Sequence, residues 1–138
     1  MTVPWEILIV SSDLEGCRAL TTILNGLGID PIRAATIEES LELLSKETIG
    51  VVFCDQYLAD GNYRSLLAAS HRLKSRMRMV VISRQGNWDE YLEAMRQGAF
   101  DLIASPCRPT DVEWMVIQAK RDERNRRSET ASTAEAIA

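Results

Sequence analysis

The sequence contains few of the residues that stabilise small folds through disulfide bonds or metal ions. Its 138 residues include only three cysteines and a single histidine. Cys17, Cys54 and Cys107 are an odd number without CxxC spacing, and His71 has no metal-ligating residue beside it. The sequence therefore argues against a disulfide framework and a zinc site, and this cysteine usage indicates a reducing compartment, the cytoplasm.

Long hydrophobic runs and an excess of positive charge are also missing. The longest uncharged apolar run, residues 49–54, is far too short to cross a bilayer. Residues 1–10 contain an acidic residue and no basic one, so no signal peptide is predicted. The formal net charge is −4, whereas nucleic-acid-binding domains are typically basic. We therefore expect contact with neither membrane nor nucleic acid.

What the sequence does contain is an alternation of short apolar runs and longer amphipathic segments. Apolar residues make up 46% and charged residues 26% of the chain, which is ordinary for one globular domain. Buried strands are predicted at residues 5–10, 31–34, 49–54, 79–82 and 100–104. Each is followed by a helical pattern, with starts predicted at Asp13, Thr36, Gly61–Asn62, Asn87 and Thr110. Apolar strands joined by helical crossovers predict an α/β fold with a parallel sheet covered on both faces.

In such sheets, ligands bind beyond the carboxyl ends of the strands. The candidate functional residues are therefore those that directly follow the predicted strands. They are Ser11, Ser12 and Asp13 after the first strand, Asp55 after the third, Ser83 and Arg84 after the fourth, and Ser105 and Pro106 after the fifth.

Five segments give the chain a resemblance to a known family. They are ILIVSSD (7–13), VVFCDQYLADG (51–61), VVIS (80–83), AMRQGAFD (94–101) and ASPCRPTDV (104–112). Over about residues 5–121, the sequence resembles the receiver domain of bacterial two-component response regulators. Asp55 and Ser83 are 28 residues apart, and Ser83 and Ser105 are 22 apart. These are the spacings at which the family places its phosphoacceptor aspartate, its switch hydroxyl and its lysine.

The resemblance implies a flavodoxin-like (βα)5 fold with five parallel strands in the order 2-1-3-4-5. It divides the chain into a receiver-like domain, residues 1–121, and a helix extension with a polar tail or linker, residues 122–138. It also implies a place in phosphorelay signal transduction.

Several positions that carry the family's chemistry are replaced in this sequence. The resemblance places the Mg²⁺-holding acidic pair at Ser11 and Ser12, the lysine at Ser105 and the switch aromatic at Leu102. Mg²⁺ prefers carboxylate oxygens, so no metal or other cofactor is expected. Phosphoryl transfer depends on positioning and charge stabilisation, which the metal and the lysine would supply. The first hypothesis is therefore an atypical receiver, a protein-interaction module rather than an enzyme, without Mg²⁺-dependent phosphorylation. The family's lysine–proline bond is usually cis, so the resemblance also implies a cis bond at Ser105–Pro106.

Two alternatives stay open. The first is a true phosphoacceptor, phosphorylated on Asp55 by a histidine kinase and capable of self-phosphotransfer. Mg²⁺ would then be held by Asp13 and Asp55, Ser83 would be the switch hydroxyl, and Arg84 would be the charge partner of Asp55. The second is a flavodoxin-like binder of a small ligand, which ranks last because SSDLEG has one glycine instead of a glycine-rich phosphate loop.

Two predicted helices carry aromatic or apolar residues outside their core-facing stripes. In the last helix, Trp114 and Ile117 fall roughly opposite an inner stripe, which consists of Val112, Met115, Val116 and Ala119. The fourth helix adds Trp88 and Tyr91. The fourth helix has acidic residues at Asp89, Glu90 and Glu93. The last helix has basic residues at Lys120, Arg121 and Arg124. The family usually docks or dimerises on the face of its fourth helix, fifth strand and fifth helix. The resemblance therefore implies a protein partner there, a histidine kinase, an output module or a second copy of the chain.

Overall fold

The computed structural model describes residues 5–137, and its side chains as far as residue 126. Strands and helices alternate along the chain. In order, they are β1 (Glu6–Val10), α1 (Leu14–Gly26), β2 (Ile32–Ala34), α2 (Ile37–Lys46), β3 (Ile49–Asp55), β4 (Tyr57–Leu58), β5 (Gly61–Asn62), α3 (Tyr63–Arg72), β6 (Arg78–Ser83), α4 (Trp88–Gln97), β7 (Asp101–Ala104) and α5 (Pro109–Ile137).

Five of the strands form one parallel sheet in the order β2-β1-β3-β6-β7. Strands β4 and β5 form a separate two-stranded antiparallel hairpin between β3 and α3. Without that hairpin the order is 2-1-3-4-5, so the predicted flavodoxin-like fold is confirmed. The hairpin itself was not predicted, because its strands have only two residues each.

The strands are apolar throughout because both faces of the sheet are covered. Leu8, Val52 and Met79 point into a core beneath α2, α3 and α4. Their sequence neighbours Ile7 and Val51 point into a second core beneath α1 and α5. This alternation on a doubly covered sheet is why period-two patterning is absent from the strand sequences.

Most of the predicted helix starts are confirmed by capping bonds. The side chains of Asp13, Thr36, Asn62 and Asn87 each accept a hydrogen bond from a backbone N–H in the first turn of the following helix. The prediction that Thr110 caps the last helix is wrong, because α5 begins at Pro109. Proline suits the first helical position, since its fixed φ is helical and its missing N–H would have no partner there.

The last helix is longer than the inner stripe that attaches it to the sheet. Val112, Met115, Val116 and Ala119 are buried, whereas the helix continues to Ile137. The predicted tail or linker begins within this helix, and its side chains from residue 127 and all of Ala138 lie outside the described residues. Within residues 5–137, no helix is both long and apolar enough to cross a membrane.

Candidate functional site

A cleft of about 520 Å³ opens at the carboxyl ends of the parallel strands. Its polar lining comes from four chain segments that are far apart in sequence. They supply Ser11, Ser12 and Asp13 after β1, Asp55 at the end of β3, Arg84 after β6, and Ser105 and Cys107 after β7. The structure therefore brings together all the residues predicted from the strand ends except Ser83, which does not line this cleft.

Asp55 is held by a serine hydroxyl. Ser11 Oγ donates a hydrogen bond of 2.6 Å to Asp55 Oδ2. Ser11 Oγ itself accepts from the backbone N–H of Asp13 at 3.0 Å. Ser11 is 3% exposed and Asp55 is half-buried, so the hydroxyl is shielded from water while the carboxyl borders the cleft. At the position where the resemblance expects a carboxylate, this chain has a fixed, neutral donor to Asp55.

The surroundings of Asp55 shift the pKa of its carboxyl in both directions. Burial raises the pKa of this carboxyl most strongly, while the Ser11 hydrogen bond lowers it. The negative charge of Asp13 raises the pKa further, and the positive charge of Arg84 has the smallest, lowering effect. The result is a pKa above the ordinary value, because burial outweighs the single hydrogen bond.

Arg84 acts on Asp55 only through space. Its side chain is exposed, and no ion pair within 4.0 Å joins it to Asp55 among the described side chains. The direct charge pair that the alternative hypothesis requires is therefore not formed in this structure.

Ser83 is fully buried at the end of β6, and its hydrogen bonds lie on the α4 side. Its hydroxyl donates to Glu90 Oε2 in a short contact. It also accepts from the backbone N–H of Gly86 at 3.0 Å. Glu90 Oε1 in turn accepts from the side-chain amide of Asn87, the N-cap of α4, at 3.1 Å. Ser83 thus joins the sheet to the first turn of α4. Sequence reasoning placed Glu90 only on the acidic side of α4 and missed its bond to Ser83.

The donor set at the cleft does not fit Mg²⁺. The Ser11 hydroxyl is bonded to Asp55, and the Ser12 side chain is exposed. The Asp13 carboxylate accepts from Glu15 N at 3.2 Å as the cap of α1. Within the described part of the chain, no three His, Cys, Asp or Glu side chains are grouped to hold a metal ion. Mg²⁺ takes a near-octahedral set of oxygens with carboxylates as its preferred protein ligands, and these side chains do not present such a set.

The segment after β7 closes the cleft on its other side. The bond between Ser105 and Pro106 is cis, which confirms the prediction. Ser105 N donates to the carbonyl oxygen of Ser83 at 2.8 Å. Leu102, at the switch-aromatic position, is half-buried against the core beneath α2, α3 and α4.

The two cysteines near Asp55 are not poised as nucleophiles. Burial and the charge of Asp55 raise the pKa of the Cys107 thiol to about 11. Burial also raises the pKa of Cys54, which lies in the core. Both thiols are therefore protonated near neutral pH, whereas the thiolate is the reactive form.

The predicted interface residues are on the surface. Trp88 is 69% and Trp114 is 51% exposed, while Tyr91 and Ile117 are half-buried. The Trp88 and Tyr91 rings stack with their centroids 5.3 Å apart. The guanidinium of Arg121 lies 6.0 Å from the centre of the Trp114 ring.

The acidic side of α4 is less available for a partner than its sequence indicates. Glu90 bonds to Ser83, as described above. Glu93 accepts from Arg64 at 3.4 Å and from Gln97 at 3.0 Å. Two of the three carboxylates expected to face the basic end of α5 are thus hydrogen-bonded within their own domain.

Comparison with known proteins agrees with the resemblance drawn from the sequence. The model of the response regulator receiver domain family matches residues 7–117. The chain is 27% identical over 99 residues to the response regulator protein PilR of Pseudomonas aeruginosa, covering 72% of this chain and 22% of PilR. It is 26% identical over 104 residues to the transcriptional regulatory protein AlgB of the same species, covering 75% of this chain and 23% of AlgB. It therefore spans less than a quarter of the length of either relative.

Solved structures show the same architecture. A response regulator from Chloroflexus aurantiacus is 25% identical with a TM-score of 0.78, covering 85% of this chain and 98% of that one. The beryllofluoride-activated receiver domain dimer of NtrC4 is 20% identical with a TM-score of 0.78, covering 85% and 97% of the two chains. At 20% identity, the second likeness concerns the fold alone.

Proposed function

The chain belongs to the response regulator receiver domain family, and from that premise we propose that it is an atypical receiver that signals without Mg²⁺-dependent phosphorylation. Receiver domains are signalling modules rather than classical enzymes. They act through contacts with histidine kinases and output domains. On this proposal, the chain keeps the contacts of a receiver and has no resident metal or other cofactor.

The observation that carries the proposal is the 2.6 Å hydrogen bond from Ser11 to Asp55. A carboxylate at residue 11 would be able to bind a cation next to Asp55, whereas a hydroxyl supplies no charge. The lysine position holds Ser105, and Arg84 is exposed and makes no ion pair with Asp55. Without a fixed cation, the charge that develops during phosphoryl transfer has little to stabilise it.

The test compares the chain with a variant in which the missing charges are rebuilt. Wild type, Asp55→Asn, and the triple variant Ser11→Asp, Ser12→Asp, Ser105→Lys are incubated with acetyl phosphate and Mg²⁺. Intact mass is then measured, and beryllofluoride binding is followed by tryptophan fluorescence. We expect no covalent phosphoryl group on wild type and a gain in the triple variant. Phosphorylation of wild type that is lost in Asp55→Asn would favour the true phosphoacceptor instead.

We also propose that the chain docks through the face formed by α4, β7 and α5. The exposure of Trp88 and Trp114 supports this, because burying a tryptophan contributes more than burying a smaller apolar side chain. The beryllofluoride-activated NtrC4 receiver, which shares this fold, is a dimer. A symmetric dimer of this chain in the cytoplasm is therefore the first assembly to test, with a histidine kinase or an output module as the heterologous alternative.

A further inference from the structure

Arg78 is a buried cation at the amino-terminal ends of the parallel strands, opposite the Asp55 cleft. It begins β6 and is only 6% exposed. Its Nε atom lies 2.5 Å from Asp122 Oδ2, and its Nη2 atom lies 2.9 Å from Glu123 Oε2. Both carboxylates belong to α5, and Glu123 also pairs with Arg126. Charged side chains are rarely this buried unless they are paired, because an unpaired buried charge is costly.

These ion pairs begin where the apolar attachment of α5 ends. The inner stripe of the helix finishes at Ala119, which is fully buried. No large apolar residue follows Ile117 until Ile137. At 100° per residue, Asp122 and Glu123 lie on the continuation of that inner stripe. We define residues 120–137 as the α5 extension. Beyond Ala119, the ion pairs of Arg78, rather than hydrophobic packing, connect this extension to the sheet.

We propose that Arg78 is a positioning residue that fixes the direction in which the α5 extension leaves the domain. A helix rises about 1.5 Å per residue, so residues 124–137 carry the helix roughly 20 Å beyond the ion pairs. A small change of tilt at Asp122 becomes a displacement of several ångströms at the far end. The guanidinium contacts two successive carboxylates with two different nitrogens, which restrains rotation as well as distance.

The same strand contacts α4 at its other end. β6 starts at Arg78 and ends at Ser83, whose hydroxyl is bonded to Glu90 of α4. The two helices whose outer faces carry Trp88 and Trp114 are thus each joined to β6 by a charged side chain. The inner stripe already holds the part of α5 that carries Trp114 against the sheet, so Arg78 places the α5 extension beyond it, independently of whether Asp55 is phosphorylated.

Distances between two spin labels test the proposal directly. Labels are attached at the exposed positions Arg33→Cys in β2 and Asn125→Cys in α5, in a Cys107→Ser background. We expect a narrow distance distribution in the parent and one about twofold broader in Arg78→Gln, because the extension loses its anchor to the sheet. Arg124→Gln is the matched control, since it removes the same charge from an exposed position and should leave the width unchanged.

A second variant removes the same ion pairs from the helix side. Asp122→Asn combined with Glu123→Gln keeps Arg78 and should broaden the distribution equally, so the test survives if Arg78→Gln fails to fold. Amide exchange in residues 120–126 should then accelerate about tenfold while the amides of β3 are unaffected. An unchanged width in either folded variant overturns the proposal, as does equal broadening in Arg124→Gln. Failure here would leave the proposed phosphorylation-independent function untouched, because that function is tested at Asp55.

Discussion

Removing the Ser11 hydroxyl should destabilise the fold, by an amount that depends on the charge of Asp55. Ser11→Ala deletes the donor that lies 2.6 Å from Asp55 Oδ2 and the acceptor of Asp13 N. Hydrogen bonds to charged groups contribute about 1.5–3 kcal/mol. Asp55 is only half-buried and faces an open cleft, so water can replace part of the lost bond, and we expect about 1.5 kcal/mol. That is roughly a 5 °C fall in Tm for a domain of this size.

The loss should be largest when Asp55 is ionised. The Ser11 bond lowers the pKa of Asp55, so it stabilises the carboxylate more than the carboxylic acid. The difference in unfolding free energy between wild type and Ser11→Ala is therefore fully present above the Asp55 pKa and shrinks as the pH falls through it. Burial has the opposite sign. Burial raises the pKa of Asp55 in the folded state above its value in the unfolded state. The destabilisation that burial causes is therefore absent at low pH and appears as the pH rises from the unfolded pKa through the folded pKa.

Urea denaturation at neutral and acid pH measures both effects. Ser12→Ala is the matched control, because it removes a neighbouring hydroxyl that is exposed, and its effect should stay within about 0.5 kcal/mol. If Ser11→Ala and Ser12→Ala unfold at the same urea concentration at neutral pH, the Ser11–Asp55 bond does not contribute as argued. If the loss grows as the pH falls, the sign of the pKa argument is wrong.

Three further predictions use other parts of the molecule. Trp114→Ala should weaken self-association in sedimentation experiments and leave the monomer's Tm nearly unchanged, whereas Leu73→Ala, an equally exposed apolar truncation at the C-cap of α3, should leave self-association unchanged. A monomeric wild type at high concentration would remove the homodimer proposal. Calorimetry with millimolar Mg²⁺ should show no saturable binding, and binding that disappears in Asp55→Asn would contradict this. Gly50→Ala should lower the free energy of unfolding, measured by urea denaturation, by about 1–3 kcal/mol, because the new Cβ would lie 2.1 Å from a ring carbon of Trp5. This destabilisation should vanish in a Trp5→Ala background.

Local signals in the sequence predicted most of the fold. The caps Thr36, Asn62 and Asn87 bond to N–H groups within three residues, so they can be recognised without knowing the tertiary structure. The order of the strands followed from the family resemblance rather than from periodicity. The division between domain and tail at residues 121 and 122 stays a prediction, since α5 runs through it without a break.

The missed contacts are those that join distant segments. Asp60 follows β4 with no sequence signal for a distant contact, yet its carboxylate accepts from the backbone N–H of Ile37 at 2.9 Å and of Glu38 at 3.3 Å. These bonds lower its pKa and add a second acceptor at the start of α2. Arg78 gave one usable signal, a lone arginine opening the buried strand RMVVIS. Its partners on α5 could not be predicted, because nothing in the spacing of 44 residues selects them.

The charges around Asp55 disfavour phosphoryl transfer, although the chain has the receiver fold. Phosphorylation would replace the single charge of the Asp55 carboxylate with a phosphoryl group carrying about 1.5 to 2 negative charges, at a carboxyl whose pKa is already raised by burial and by Asp13. Glu90 also lines the cleft, and Arg84, the cation of its lining, is exposed to solvent. The energy of adding negative charge to such a site rises with each uncompensated neighbour. A site of this kind disfavours an added phosphoryl group, which supports our proposal that the chain signals through the surfaces of α4 and α5.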